Sequence, residues 1–187
     1  MSAGTSSPIA ATFAERAASV GTEVHASTRA GCCPLIASLL RREGAQRVAL
    51  DAEALTAISD LAPHLSHAGF EVVAELEAAT LAQLDAGIAW AAFGVAETGS
   101  VALAARAPGS RLVSMLPPIH LVLARESGLV PDLDTAMAQL RAWTAGPVQQ
   151  PYVSLVTGAS RTSDIERVLT IGVHGPRVQH VILLSDE

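Results

Sequence analysis

Apolar positions in the first part of the chain switch repeatedly between helical and extended spacing. A helical pattern opens at Pro8 behind a Ser6 or Ser7 cap, runs through Phe13, Ala14, Ala17 and Val20, and stops at Gly21. Residues 22–27 alternate as an extended piece. Leu35, Ile36, Leu39 and Leu40 then predict a helix over 34–43 that ends at Gly44. A strand is expected at 47–50, a helical stretch broken by Pro63 over 52–68, and extended chain again at 70–74.

The second half carries more turn residues. An apolar run at 87–95 meets Glu97-Thr98-Gly99-Ser100, and a second run at 101–105 ends before Pro108-Gly109. Residues 119–123 follow Pro117-Pro118 as a buried strand, and 132–143 form a helix with acidic residues in its first turn. Residues 153–156 make another strand that runs directly into the polar segment 157–166. Gly172-Val173-His174-Gly175-Pro176 then precedes a closing apolar run at 178–184.

Short apolar strands separated by helices predict an α/β fold in three layers, a mainly parallel sheet with helices on both faces. We expect an N-terminal helix or arm over 1–21 and a single α/β domain over 22–187. In such sheets ligands bind at the carboxyl ends of strands, and the polar clusters are expected to converge there. Half of the 187 residues are hydrophobic and 16% are charged, enough to bury a core without disulfide or metal staples. Aromatic residues are scarce, so Ala, Leu and Val make up most of that core.

Charge narrows the chemistry. All 12 cationic side chains are Arg. A lysine Schiff base, a P-loop lysine and a kinase strand lysine are therefore excluded, and any anion must be held by Arg, backbone amides or helix N-termini. The net charge is −6 and no arginine cluster exceeds Arg41-Arg42, so nucleic acid is not an expected partner. Glu15-Arg16 interrupts the first apolar stretch and no membrane-spanning run appears, so the chain reads as cytoplasmic. Cys32 and Cys33 are adjacent, a spacing that suits neither a disulfide nor a zinc or iron–sulfur site.

Three clusters could carry chemistry. In the first, a strand delivers Thr157-Gly158, and Ser163 three residues before Glu166 matches a capping box that would open a helix. Ser160, Arg161, Thr162 and Asp164 beside that helix start suit a phosphate or carboxylate; a plain helix cap, a common feature, is the alternative and the two are compatible. In the second, Glu97 beside Thr98, Gly99 and Ser100 is expected to be partly buried, as base or nucleophile or as a structural tie for its loop. In the third, His174, held between glycines on a rigid loop that includes Gly175, is either catalytic or structural. No metal site is expected: His64 and His67 read as solvated, and His25, His120 and His180 as isolated.

The order and spacing of four motifs resemble a known family. They are Ala96 to Ser100, Arg111-Leu112-Val113-Ser114-Met115-Leu116-Pro117-Pro118-Ile119-His120, Thr157 to Glu166, and Gly172 to Pro176 with the final apolar strand. Over 87–184 the chain is similar to the LUD domain of lactate utilisation protein C. The resemblance implies a fold akin to the NagB/RpiA/CoA-transferase superfamily and a role in oxidising L-lactate to pyruvate. It also implies partner subunits that carry the iron–sulfur clusters, this chain being an accessory component that binds a small carboxylate or phosphate-bearing ligand. A free-standing enzyme is the alternative it implies. Glu97 would then act on a CoA thioester or sugar phosphate, by analogy with the glutamate acylated in CoA transferases, with Arg161 as anion clamp. A homodimer is a further expectation, since clefts in this class can be completed by a neighbour.

Overall fold

A computed structural model of the chain describes residues 7–74, 76–105, 108–144, 152–164, 168–171 and 175–185. Helix α1 (Pro8–Ser19) starts where expected. Ser7 Oγ accepts the Ala10 N–H, Pro8 fills the first turn, and Ala10, Phe13 and Ala17 form the buried stripe. The segment predicted as a helix or arm packs Phe13 and Ala17, both fully buried, into the core.

Strand β1 (Thr22–Ser27) leads into α2 (Arg29–Arg42), which begins five residues before the predicted start. Thr28 Oγ1 caps it through the Gly31 N–H, and the helix then carries Pro34 in its interior. The reason lies in Cys32 and Cys33, whose burial on the sheet outweighs the one backbone hydrogen bond that Pro34 cannot make. Strand β2 (Arg47–Leu50) follows, then α3 (Ala52–Ala57), α4 (Leu61–His67) and β3 (Glu71–Val73). The helical stretch breaks at 58–60 and not at Pro63, which sits harmlessly in the first turn of α4.

After α5 (Ala78–Leu81) comes β4 (Ala86–Val95), the longest strand, and then β5 (Ser100–Ala105), α6 (Pro108–Val113) and β6 (Ile119–Arg125). The short β7 (Leu129–Val130), α7 (Leu133–Thr144), β8 (Tyr152–Val156), β9 (Arg161–Asp164), β10 (Val168–Ile171) and β11 (Val178–Leu184) complete the order. Where a helix was expected after Ser163, the described residues 161–164 and 168–171 are strands: β9 and β10 pair antiparallel, Thr162 opposite Thr170 and Arg161 opposite Ile171. Val168, Thr170 and Ile171 are β-branched and no helical apolar stripe follows the would-be cap, so strand pairing wins.

Six strands run parallel in the order β1-β11-β6-β4-β2-β3. Beyond Trp90, β4 leaves this sheet, passes a register shift between Ala91 and Phe93, and pairs antiparallel with β5, which pairs with β8. The fold is the expected mainly parallel, three-layer α/β arrangement. One face buries Ile36, Leu40, Leu61 and Leu65 of α2 and α4 against Ile88, Leu121 and Ile182. On the other, Phe13 and Ala17 of α1 and Val101 and Leu103 of β5 close over Ala89, Val122 and Val181. No helix among the described residues is long and apolar enough to cross a membrane.

Candidate functional site

The carboxyl end of β2 delivers Asp51 to the face covered by the antiparallel strands. Its carboxylate accepts the Ala54 N–H at 2.6 Å, capping α3, and the Trp90 N–H at 3.1 Å. Burial pushes the carboxyl up to about 7 despite those two hydrogen bonds. Across from it, α6 supplies Ser110 and Arg111, and β5 and β8 supply Ala104, Tyr152 and Ser154, so that these groups line one small pocket with Ala89 at its back. The Arg111 guanidinium carbon lies 4.6 Å from the centre of the Tyr152 ring, a cation–π stack that fixes the fork in place.

Two donors in this pocket are unspent. Arg111 Nε and Ser110 Oγ are buried and have no hydrogen-bond partner among the described residues. Buried polar groups are nearly always satisfied, and a buried guanidinium nitrogen without an acceptor is costly. An anion with a planar, two-oxygen head would satisfy both Arg111 Nε and the hydroxyl.

The predicted loops meet elsewhere, around the C-terminal end of α1 and the amino ends of β1 and β11. Ser100 Oγ lies 2.7 Å from Thr98 Oγ1 and 2.6 Å from Thr157 Oγ1, a chain of three hydroxyls. Gly99 has φ +66°, and a Cβ there would come 2.3 Å from the Ala17 nitrogen. Gly158, at φ +76°, likewise faces Val20, whose carbonyl would stand 2.5 Å from a Cβ. Arg161 is exposed, with its guanidinium over Gly21. The Ser160 N–H donates to the Pro176 carbonyl at 2.8 Å, and Gly175 stands against Ser160. Thr162 and Asp164 fall on β9, while Glu166 and His174 lie outside the described residues.

Two expectations need correction. Glu97 is exposed, and its Oε2 accepts the Leu133 N–H at 3.0 Å, so it ties the 97–100 turn to the start of α7. The convergence point is also not the carboxyl edge of the parallel strands, because β8, which delivers Thr157, belongs to the antiparallel part and runs back toward the amino edge. Neither Asp51 nor Arg111 is among the candidate site residues that the sequence pattern points to. The position of Asp51 directly after a parallel strand was a usable signal, and Arg111 opens one of the four motifs.

His120 is not isolated either. It is fully enclosed at the amino end of β6, where Gln179 Nε2 stands 3.3 Å from its Nδ1 and Thr22 Oγ1 donates to Gln179 Oε1 at 2.8 Å. That orientation of the amide makes Nδ1 the acceptor and leaves the proton on Nε2, which has no partner among the described residues. Burial holds its pKa down to about 4, so the ring is neutral.

The LUD domain family matches residues 10–184. The chain is 35% identical over 105 residues to lactate utilization protein C of Bacillus subtilis (strain 168), a span covering 56% of this chain and 44% of that protein. It is 32% identical over 106 residues to the uncharacterized protein YkgG of Escherichia coli (strain K12), covering 56% of this chain and 46% of the other. The matched span is thus less than half the length of these relatives. In three dimensions the chain is similar to the crystal structure of a DUF162 family protein from Deinococcus radiodurans, with a TM-score of 0.71, 27% identity, and coverage of 94% of this chain and 96% of that one. With the family matched from the first turn of α1 to the end of β11, the chain belongs to the LUD domain family.

Proposed function

We propose that the chain is a component of a lactate-utilising system and that the pocket beneath α6 holds a small carboxylate, L-lactate or its oxidation product pyruvate. The buried Arg111 Nε, stacked on Tyr152 and, like the neighbouring Ser110 hydroxyl, without a partner among the described residues, is the observation that carries the ligand class. The relatives named for lactate utilization supply the substrate. A lactate carboxylate on Arg111 and Ser110 would turn its 2-hydroxyl toward Asp51. With a pKa of about 7, that carboxyl exchanges a proton with a hydroxyl or carbonyl oxygen near neutral pH.

Oxidation of lactate also releases two electrons. The two thiols of this chain are buried in α2, and burial pushes Cys33 up to about 12. Neither offers a thiolate to a redox centre. In this reading the electrons pass to partner subunits that carry iron–sulfur clusters, with this chain as the accessory component beside them.

A thermal-shift series against L-lactate, pyruvate, inorganic phosphate, a sugar phosphate, CoA and acetyl-CoA tests the ligand class. A carboxylate at ~100 times its dissociation constant stabilises by about 2.7 kcal/mol and raises the midpoint by roughly 5–10 °C at this chain length. A shift with CoA or sugar phosphate alone would contradict the carboxylate reading. Failure to co-purify with iron–sulfur subunits, together with normal growth on lactate in a deletion strain, would contradict the partner reading.

A further inference from the structure

On the opposite face of the parallel sheet, at its β1 edge, three potential ligands meet. Glu23 and His25 sit two residues apart on β1 and so point to the same face, and the parallel register sets His180 of β11 directly beside Glu23. His25 Nε2 is 3.3 Å from His180 Nδ1, and Glu23 Oε2 is 3.8 Å from the first and 3.9 Å from the second. We propose that Glu23, His25 and His180 bind a divalent first-row transition ion, with zinc the best match to the donor set.

Geometry is the principal support. The circle through three atoms at those separations has a radius of about 2.1 Å, so an ion at Zn–N or Zn–O bond length fits between them. An inward shift of the exposed Glu23 carboxylate by a few tenths of an ångström makes the set tetrahedral. Two imidazoles and one carboxylate are also a recurrent three-ligand zinc set, which leaves a fourth position for water or an anionic group. Glu23 is the most exposed of the three and His25 is partly exposed, so that position faces solvent, whereas His180 is fully buried and its ring cannot swing away.

The surroundings fit as well. Glu43 Oε1 lies 3.3 Å from His180 Nε2, the nitrogen turned away from the site. A carboxylate there takes the second ring proton and fixes Nδ1 as the ligating atom, the usual support behind a metal-bound imidazole. Burial holds both imidazoles below the ordinary histidine value, against the pull of Glu23, and unprotonated nitrogens are what a metal requires. One group opposes the ion: Arg42 NH2 lies 2.8 Å from Glu23 Oε2 and 3.4 Å from His180 Nε2. Its side chain is about half exposed and can turn into solvent when a divalent ion takes its place.

The test is a titration of Co2+, followed by its visible absorption and displaced by Zn2+, into the purified full chain with any affinity tag removed. One ion per chain is expected. Glu23→Gln and His25→Ala, both at the accessible side of the site, should each weaken binding by at least tenfold, Glu43→Gln by about 10–100-fold, and Arg42→Ala should tighten it. Circular dichroism of each variant confirms that the fold is kept. Absence of saturable one-to-one binding, or parent affinity in either Glu23→Gln or His25→Ala, would overturn the assignment.

Discussion

Asp51 and His120 respond to pH in opposite directions, and the difference between them is measurable one residue at a time. An unfolded Asp titrates near pH ~3.9 and burial raises Asp51 to about 7, so between those values the folded chain binds the extra proton. Its contribution to stability is present below pH ~4 and falls as the pH rises to 7, by about 1.4 kcal/mol per unit. An unfolded His titrates near ~6.5 and burial lowers His120 to about 4, so its contribution is present above pH ~6.5 and is lost on acidification toward 4. Asp51→Asn should therefore gain stability relative to the parent from pH 4 to 7, and His120→Gln should lose it from pH 4 to 6.5. Urea unfolding at four pH values checks both, and parallel curves for the three proteins would contradict the burial of these groups. Glycine supplies a second residue-scale comparison. Gly44 has φ +75° and open space around it, so Gly44→Ala costs about 1–2 kcal/mol through its left-handed backbone alone. Gly99→Ala meets the backbone of Ala17 as well and should cost about 1–3 kcal/mol more in the same assay.

Elements decide what Glu97 does. Its Oε2 accepts an amide from the first turn of α7, where a negative charge also favours the helix dipole. Glu97→Gln keeps an accepting oxygen and loses the charge, so it should lower stability by only about 0.3–1 kcal/mol and leave ligand affinity unchanged. Abolished ligand binding in this variant would make Glu97 a site residue. Elements were also what the sequence showed most clearly. The apolar runs at 87–95, 119–123 and 178–184 became β4, β6 and β11 with ends shifted by no more than two residues, since buried parallel strands leave a nearly continuous apolar signature. The start of α2 was hidden because Pro34 resembles a first-turn proline, and the β9–β10 hairpin because Ser163 and Glu166 imitate a capping box. Among candidate site residues, the Thr98–Ser100–Thr157 contact agreed with the expected convergence. Of the Asp51–Arg111 pocket only the place of Asp51 after a strand was legible, because β2, α6, β5 and β8 come together only through the sheet.

At the scale of the whole molecule, the long β4 belongs to two sheets at once. Its first half lies between β2 and β6, and its second half turns out after Trp90 to pair with β5, so the antiparallel part folds back over the parallel face. The pocket is the gap left where that flap and α6 meet the carboxyl end of β2. Gly87 lets the α6 end approach closely, since a Cβ there would come 1.9 Å from the Val113 carbonyl oxygen. A chain with net charge −6 and no lysine thus sets one stacked arginine, with an unspent donor, inside a small cleft. The most direct measurement is calorimetric titration of L-lactate and pyruvate into the parent, Arg111→Ala and Arg161→Ala. Binding that is lost in Arg111→Ala and kept in Arg161→Ala is the expected result. Binding kept in Arg111→Ala and lost in Arg161→Ala would move the ligand to the loop at the end of α1 and contradict the pocket assignment.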